Sequence, residues 1–285
     1  ISISFLFSQG ISQYSNMTSE SSSLAGSIVS SKGGTWSLFS NPSTIVEVEN
    51  NSISIGYSNL YNQKYLPVSS IGLIISKYSM NFGIKYSSLQ VEYQNIELLK
   101  NEEIGLVTGF DLIRDKNSSL SIGASANFLM INFGPSAGVT GDGTYGVSST
   151  KLTSFGLDLG LLAVLRDKNR LGVFIKNINS PSIGRGVSNQ NLPRLIDLGL
   201  STMPSKNLMV TFSLEQLLGN QDTQFKTSFK YQISNSIYLN TGLQMNPNRF
   251  GFGFNIDKEV ILLSYGILTH HVLPETHHFN IGIKF

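Results

Sequence analysis

Four histidines crowd the stretch His270, His271, His277 and His278, with Glu275 between the pairs. Imidazoles paired across a hairpin are a transition-metal ligand type. A metal centre also needs fixed geometry and a complete donor set, and the spacing supplies neither. The plainer expectation is a polar hairpin tip, and no metal or cofactor is assigned. Gly141-Asp142-Gly143-Thr144-Tyr145-Gly146 matches G-x-G-x-x-G. Dinucleotide binding requires a helix immediately after it. Val147, Ser148, Ser149, Thr150 and then a strand follow instead, so this is expected to be a loop tip. The chain has no Cys, which removes disulfides, thiolate metal sites and a Cys nucleophile. No Ser-His-Asp or paired-carboxylate constellation can be read from the spacing, so a non-enzymatic protein is expected.

The remaining charges are more informative. Lys85, Asp111, Asp158, Lys176, Asp197, Lys226, Lys230 and Lys284 all fall on the polar face of alternating segments. Mixed signs on one face suit either ion pairs across an interior or the lining of a substrate path; a polar interior alone accounts for their presence.

The alternation itself runs almost everywhere after residue 51. Met80, Phe82, Ile84 and Tyr86 oppose Asn81, Gly83, Lys85 and Ser87; Phe250, Phe252, Phe254 and Ile256 oppose Gly251, Gly253 and Asn255. A period of two is the mark of a strand with one apolar and one polar face. Phe279, Ile281, Ile283 and Phe285 share the apolar face of the last such segment, the pattern of an outer-membrane insertion signal. Fourteen strands are predicted: 51–59, 68–77, 79–88, 103–114, 118–133, 152–166, 170–178, 193–203, 207–217, 223–233, 236–246, 249–256, 259–269 and 276–285. The connections alternate long (60–67, 89–102, 134–151, 179–192, 218–222, 270–275) and short, with Asn246-Pro247-Asn248 the exception. Arg-Asp-Lys-Asn marks two of the short turns, at Arg114–Asn117 and Arg166–Asn169. An even strand number with long loops on one rim and short turns on the other describes an outer-membrane β-barrel of a diderm bacterium. A soluble sandwich would need the apolar faces buried against each other and would leave open edges.

Composition agrees with a membrane barrel. Only 13% of the residues are charged and the net charge is +2, so neither nucleic acid nor an acidic surface is an expected partner. No apolar run approaches the ~20 residues of a spanning helix, which leaves strands to cross a membrane. Residues 1–10 look like the tail of a signal peptide, an ordinary first strand being the other reading. Residues 11–50 are rich in Ser, Gly and Asn with aromatic anchors at Trp36 and Phe39. A plug inside the barrel suits them better than a free periplasmic extension, since disorder depletes aromatics. Residues 51–285 form the barrel.

Leu24, Ala25 and Gly26, then Asn41-Pro42-Ser43 before the first strand, resemble the N-terminal region of the PorV/PorQ-like proteins, relatives of the FadL long-chain fatty-acid transporters. The strand Gly156–Gly160, Lys176-Asn177-Ile178, and the final Ser264-Tyr265-Gly266 to Phe285 hairpin follow in the same order. The chain departs from the family at Ser30-Ser31-Lys32-Gly33, where an acidic pair is common. The resemblance implies an all-β, fourteen-stranded antiparallel transmembrane barrel of FadL-like form with an N-terminal hatch. Leu24, Gly26, Trp36, Phe39, Asn41 and Pro42 would be its gating positions. It implies an accessory or substrate-handling role in type IX protein secretion, with outer-membrane lipid, secretion-system subunits or secreted cargo as partners. The alternative is a FadL-like passive channel for hydrophobic small molecules.

Overall fold

The period-two segments close on themselves. A computed structural model describes residues 16–77, 80–93, 96–136, 138, 146, 148–184, 189–218 and 223–285. Its barrel strands are β1 (Ser52–Asn59), β2 (Pro67–Lys77), β3 (Met80–Tyr93), β4 (Ile96–Arg114), β5 (Ser118–Phe133), β6 (Thr150–Leu165) and β7 (Asn169–Lys176). After a small ladder of β8 (Ser182–Ile183) with β9 (Gln190–Asn191) come β10 (Leu195–Ser205), β11 (Leu208–Leu217), β12 (Gln224–Ser234), β13 (Ile237–Met245), β14 (Arg249–Lys258), β15 (Ile261–Leu268) and β16 (Thr276–Lys284). Each of the fourteen barrel strands pairs antiparallel with its neighbours, and β1 closes the ring on β16, with Ser52 opposite Lys284 and Asn59 opposite His277. Closure leaves the barrel without a free edge.

Side-chain parity follows the closure. On β4, Ile104, Leu106, Phe110 and Leu112 point outward, and Leu106 is 62% exposed. On β16, Phe279, Ile281 and Ile283 do the same, followed by Phe285. In water such a continuous apolar girdle would be an aggregation surface; in lipid it is the solvated face. An outward charge marks one limit of it on β4: Glu102, paired with Lys100 at 3.1 Å and receiving the Tyr86 hydroxyl at 2.7 Å.

The predicted 89–102 loop is mostly strand. β3 runs on to Tyr93 and β4 begins at Ile96, so this hairpin stands above the apolar band. Here the outer face turns more polar: Glu92, Lys100 and Glu102 stand beside the exposed Ile96 and Leu98, and the register shifts at Glu92, which hides the alternation. Three sequence expectations lie wholly or mainly outside the described residues: the signal-peptide tail at 1–10, the start of the plug at 11–15, and the loop tip at 141–146, of which only Gly146 is described.

Candidate functional site: the plugged lumen

Residues 16–50 occupy the lumen. Thr18 caps the short helix α1 (Ser19–Ser23), its Oγ1 accepting from the Ser21 amide at 3.2 Å. Ala25 (φ 48°) and Gly26 (φ 78°) then reverse the chain. Short 3₁₀ segments follow at Thr35–Phe39 and Pro42–Glu47 before the chain enters β1. A short, capped, serine-rich path suits a polar barrel interior, because each hydroxyl can answer a wall group. The Ser19 amide donates to Asn280 Oδ1 at 2.7 Å, Asn240 Nδ2 donates to Ser23 Oγ at 3.1 Å, and Ser30 and Ser201 share a 2.6 Å hydroxyl contact.

Wall glycines let the plug backbone come this close. A Cβ at Gly242 would lie 2.3 Å from the Leu24 carbonyl carbon, and one at Gly172 2.4 Å from the Val29 oxygen. At Gly123 it would meet the Pro42 carbonyl carbon at 2.3 Å, and at Gly266 the Ser19 oxygen at 2.2 Å. None of these atoms is the end of a flexible side chain, so the seal depends on the missing methyls.

The residues singled out in the plug have separate places. Leu24 is buried beside Gly242, and Gly26 turns next to the Lys226 ammonium. Trp36 is buried and lines a cavity of about 340 Å³ on the short-turn side of the plug. Phe39 packs on a buried cluster of Leu38, Ile45, Ile74 and Val107. Asn41 is the most heavily bonded of the group. Its Nδ2 donates to the carbonyls of Val29 (2.8 Å) and Leu161 (3.2 Å), and its Oδ1 accepts from the Ser43 amide (3.1 Å) and hydroxyl (2.7 Å). It therefore caps the second 3₁₀ segment, which Pro42 opens, and pins two plug segments to β6.

The inward charges sort by height. Asp111 and Lys284 sit at the short-turn rim, where Asp111 pairs with Arg114 at 2.7 Å and Lys284 pairs with Asp257. Lys230 holds Glu20 of α1 at 2.7 Å. Lys85, Asp158, Lys176, Asp197 and Lys226 lie at mid-lumen. There Glu103 is shared between Lys85 (2.7 Å) and Lys176 (3.4 Å), and Lys226 pairs with Glu215 at 2.7 Å. Asp158 accepts from Ser125 Oγ (2.9 Å), Asn127 Nδ2 (2.6 Å) and the Asn177 amide (2.9 Å).

Glu20, Glu47, Glu103, Arg170 and Glu215 also belong to the lumen and were not singled out by the alternation. Glu103 and Arg170 each stand two residues from an inward glycine, Gly105 and Gly172, which is the signal that could have found them. The Arg170 guanidinium donates to the carbonyls of Ser30 (2.7 Å) and Ser31 (3.1 Å) and to Glu47 Oε1 (2.7 Å), binding the middle and the end of the plug to β7.

A second cavity, of about 60 Å³, lies between plug and wall at the mid-lumen charges. Met17, Ile28, Val29, Phe39, Phe174 and Leu195 form its apolar lining. The histidines do not converge: His278 is buried in the lumen, while the His277 Nδ1 meets the Tyr265 hydroxyl at 2.7 Å. The rings of His270 and His271 lie 4.3 Å apart on the last long loop. Among the described residues no group of three or more His, Cys, Asp or Glu side chains could hold a metal ion.

No protein-family model matches the chain, and no curated protein does. Solved structures match along nearly the whole length. CymD, a monoaromatic hydrocarbon channel, aligns with a TM-score of 0.64 at 13% identity over 94% of this chain and 96% of that one. The Ralstonia pickettii toluene transporter TbuX gives 0.63 at 10% identity over 95% and 98%. A Pseudomonas aeruginosa FadL homologue gives 0.54 at 10% identity over 94% and 98%. Nothing in the comparisons supports the PorV/PorQ-like grouping or type IX secretion. At these identities the likeness is one of fold: this chain has the closed fourteen-stranded antiparallel barrel of FadL-like outer-membrane channels.

Proposed function

We propose that the protein is a passive, non-catalytic channel of a diderm bacterium's outer membrane for hydrophobic small molecules, with residues 11–50 as its hatch. The observation that carries this is the partly apolar cavity left between plug and wall, with Phe39 and Val29 on the plug facing Phe174 and Leu195 on the barrel. The fold shared with hydrocarbon channels supports it. Above the cavity, Met17 packs with Leu60, Val68 and Leu89, an apolar lead toward the long-loop rim. Leu24, Gly26, Asn41 and Pro42 set the hatch against the wall, and Trp36 stands on the cavity at its other side.

The wall also has a place where a sideways exit could form. β7 leaves the barrel at Asn177 (φ 58°), and a side chain replaces the strand beside β6. Asn179 Nδ2 donates to the Phe155 carbonyl at 2.8 Å, and the Leu157 amide donates to Asn179 Oδ1 at 2.9 Å. With one backbone bond between them, from the Ile178 amide to the Leu157 carbonyl at 2.8 Å, this contact opens more easily than a full ladder.

The test is uptake of radiolabelled toluene by cells with an intact outer membrane, comparing a deletion strain with the same strain carrying the gene. Restored uptake is expected. Equal uptake in both strains would sink the proposal, and secretion defects in the deletion strain would favour the secretion role instead. Heat-modifiable gel migration of the outer-membrane fraction checks the location.

A further inference from the structure

The mid-lumen charges are unevenly matched. On one side of the small cavity, two ammonium groups, Lys85 and Lys176, share Glu103. On the other side, Asp197 and Glu215 stand directly opposite each other on β10 and β11, and the ammonium of Lys226 lies on Glu215. Like charges in register on neighbouring strands repel, and Lys226, the ammonium near both, gives its 2.7 Å ion-pair contact to Glu215.

Asp197 is only 6% exposed, and its Oδ1 has no hydrogen-bond partner among the described residues. A buried carboxyl oxygen without a hydrogen-bond partner is costly. The same lumen shows the usual solution at Asp158, which receives three donors. Asp197 instead lines the cavity of about 60 Å³, whose neighbouring surface is Val29, Phe39, Phe174 and Leu195. One water needs roughly 10–15 Å³ of such space, so a head group of several heavy atoms fits.

We infer that this cavity binds the head of a small amphiphile, a hydroxyl or ammonium donating to Asp197 Oδ1 while an apolar body lies along Phe39 and Met17. This deepens the channel function by naming its substrate class: apolar molecules with one hydrogen-bond-donating head, in preference to bare hydrocarbons. Passage rests on that function; binding does not.

Three probes with one body separate the possibilities: 2-phenylethanol, 2-phenylethylamine and propylbenzene, titrated calorimetrically into the full-length barrel in lipid nanodiscs. The alcohol and the amine are expected to bind at least about tenfold tighter than propylbenzene, the scale of a hydrogen bond to a charged group. Asp197→Leu should erase that preference and leave propylbenzene unchanged. Asp197→Asn, which keeps an acceptor, should weaken the amine more than the alcohol. Heat-modifiable migration verifies that both variants fold. Equal affinities for the three probes would overturn the site, as would a loss of all three in parallel in Asp197→Leu. Binding of the amine alone, competed by Na⁺, would make it a simple cation site and also overturn it. Donor-selective binding with no protein-dependent uptake of 2-phenylethanol by cells would leave the site standing and sink the channel.

Discussion

Asn41 on the plug and Gly160 on β6 meet with no space between them: a Cβ on Gly160 would stand 2.0 Å from Asn41 Oδ1. Asn41 cannot swing aside without losing bonds to Val29, Leu161 and Ser43. Gly160→Ala is therefore expected to unseat the second 3₁₀ segment, at about 1–3 kcal/mol, the usual scale of overpacking. Asn41→Ala removes the bonds without the clash and should cost a similar amount. Both should raise single-channel conductance in planar bilayers, and unchanged conductance in both would mean that this contact does not seal the lumen.

The clamp formed by Arg170 joins Ser30, Ser31 and Glu47 through all three nitrogens of one planar group. Lysine cannot reproduce that fork. Arg170→Lys should lower the thermal midpoint of gel-shift unfolding nearly as far as Arg170→Met. Full recovery by lysine would show that charge alone holds the plug. In Arg170→Met, Glu47 keeps the Gly33 amide as a donor at 2.8 Å and borders the larger cavity, so the expected cost is about 1–3 kcal/mol.

Leu106 distinguishes a membrane barrel from a soluble one. It is 62% exposed, so in water Leu106→Arg would change little. In lipid an arginine near the middle of the apolar band costs about 2–4 kcal/mol. The expected result is a drop of that size in unfolding free energy in phospholipid vesicles.

The last long loop is expected to respond to pH. His270 Nδ1 accepts from the amides of Val272 (3.2 Å) and Leu273 (3.1 Å), which requires an unprotonated nitrogen. Burial, then Arg249 and His271, hold its pKa below the ordinary 6.5. With the folded pKa depressed, its stabilisation is present above about 6.5 and is lost as pH falls through the folded value. The protection factors of the Val272 and Leu273 amides should be lower at pH 5 than at pH 7. His270→Asn, which keeps an acceptor but does not titrate, should flatten the difference.

Much of the architecture is legible in the residues because a lipid-embedded strand has a rigid rule. Alternation at Phe250, Phe252 and Phe254 or Phe279, Ile281 and Ile283 assigns the outward face without any knowledge of neighbours, and Asp-Lys-Asn turns mark one rim. The rule fails where its physical cause stops. Above the apolar band the outer face of the β3–β4 hairpin turns polar, and the strand reads as a loop.

The chain by itself determined the strand number, the outward apolar faces and the polarity of the lumen, because burial in lipid acts on one residue at a time. Only the tertiary structure decided the pairings inside. Which carboxylate Lys226 meets, why Arg170 reaches Glu47, and that Asp197 faces Glu215 with an oxygen left over depend on register across strands and on a plug threaded among them. Those are distances between residues far apart in the chain, and no local pattern carries them.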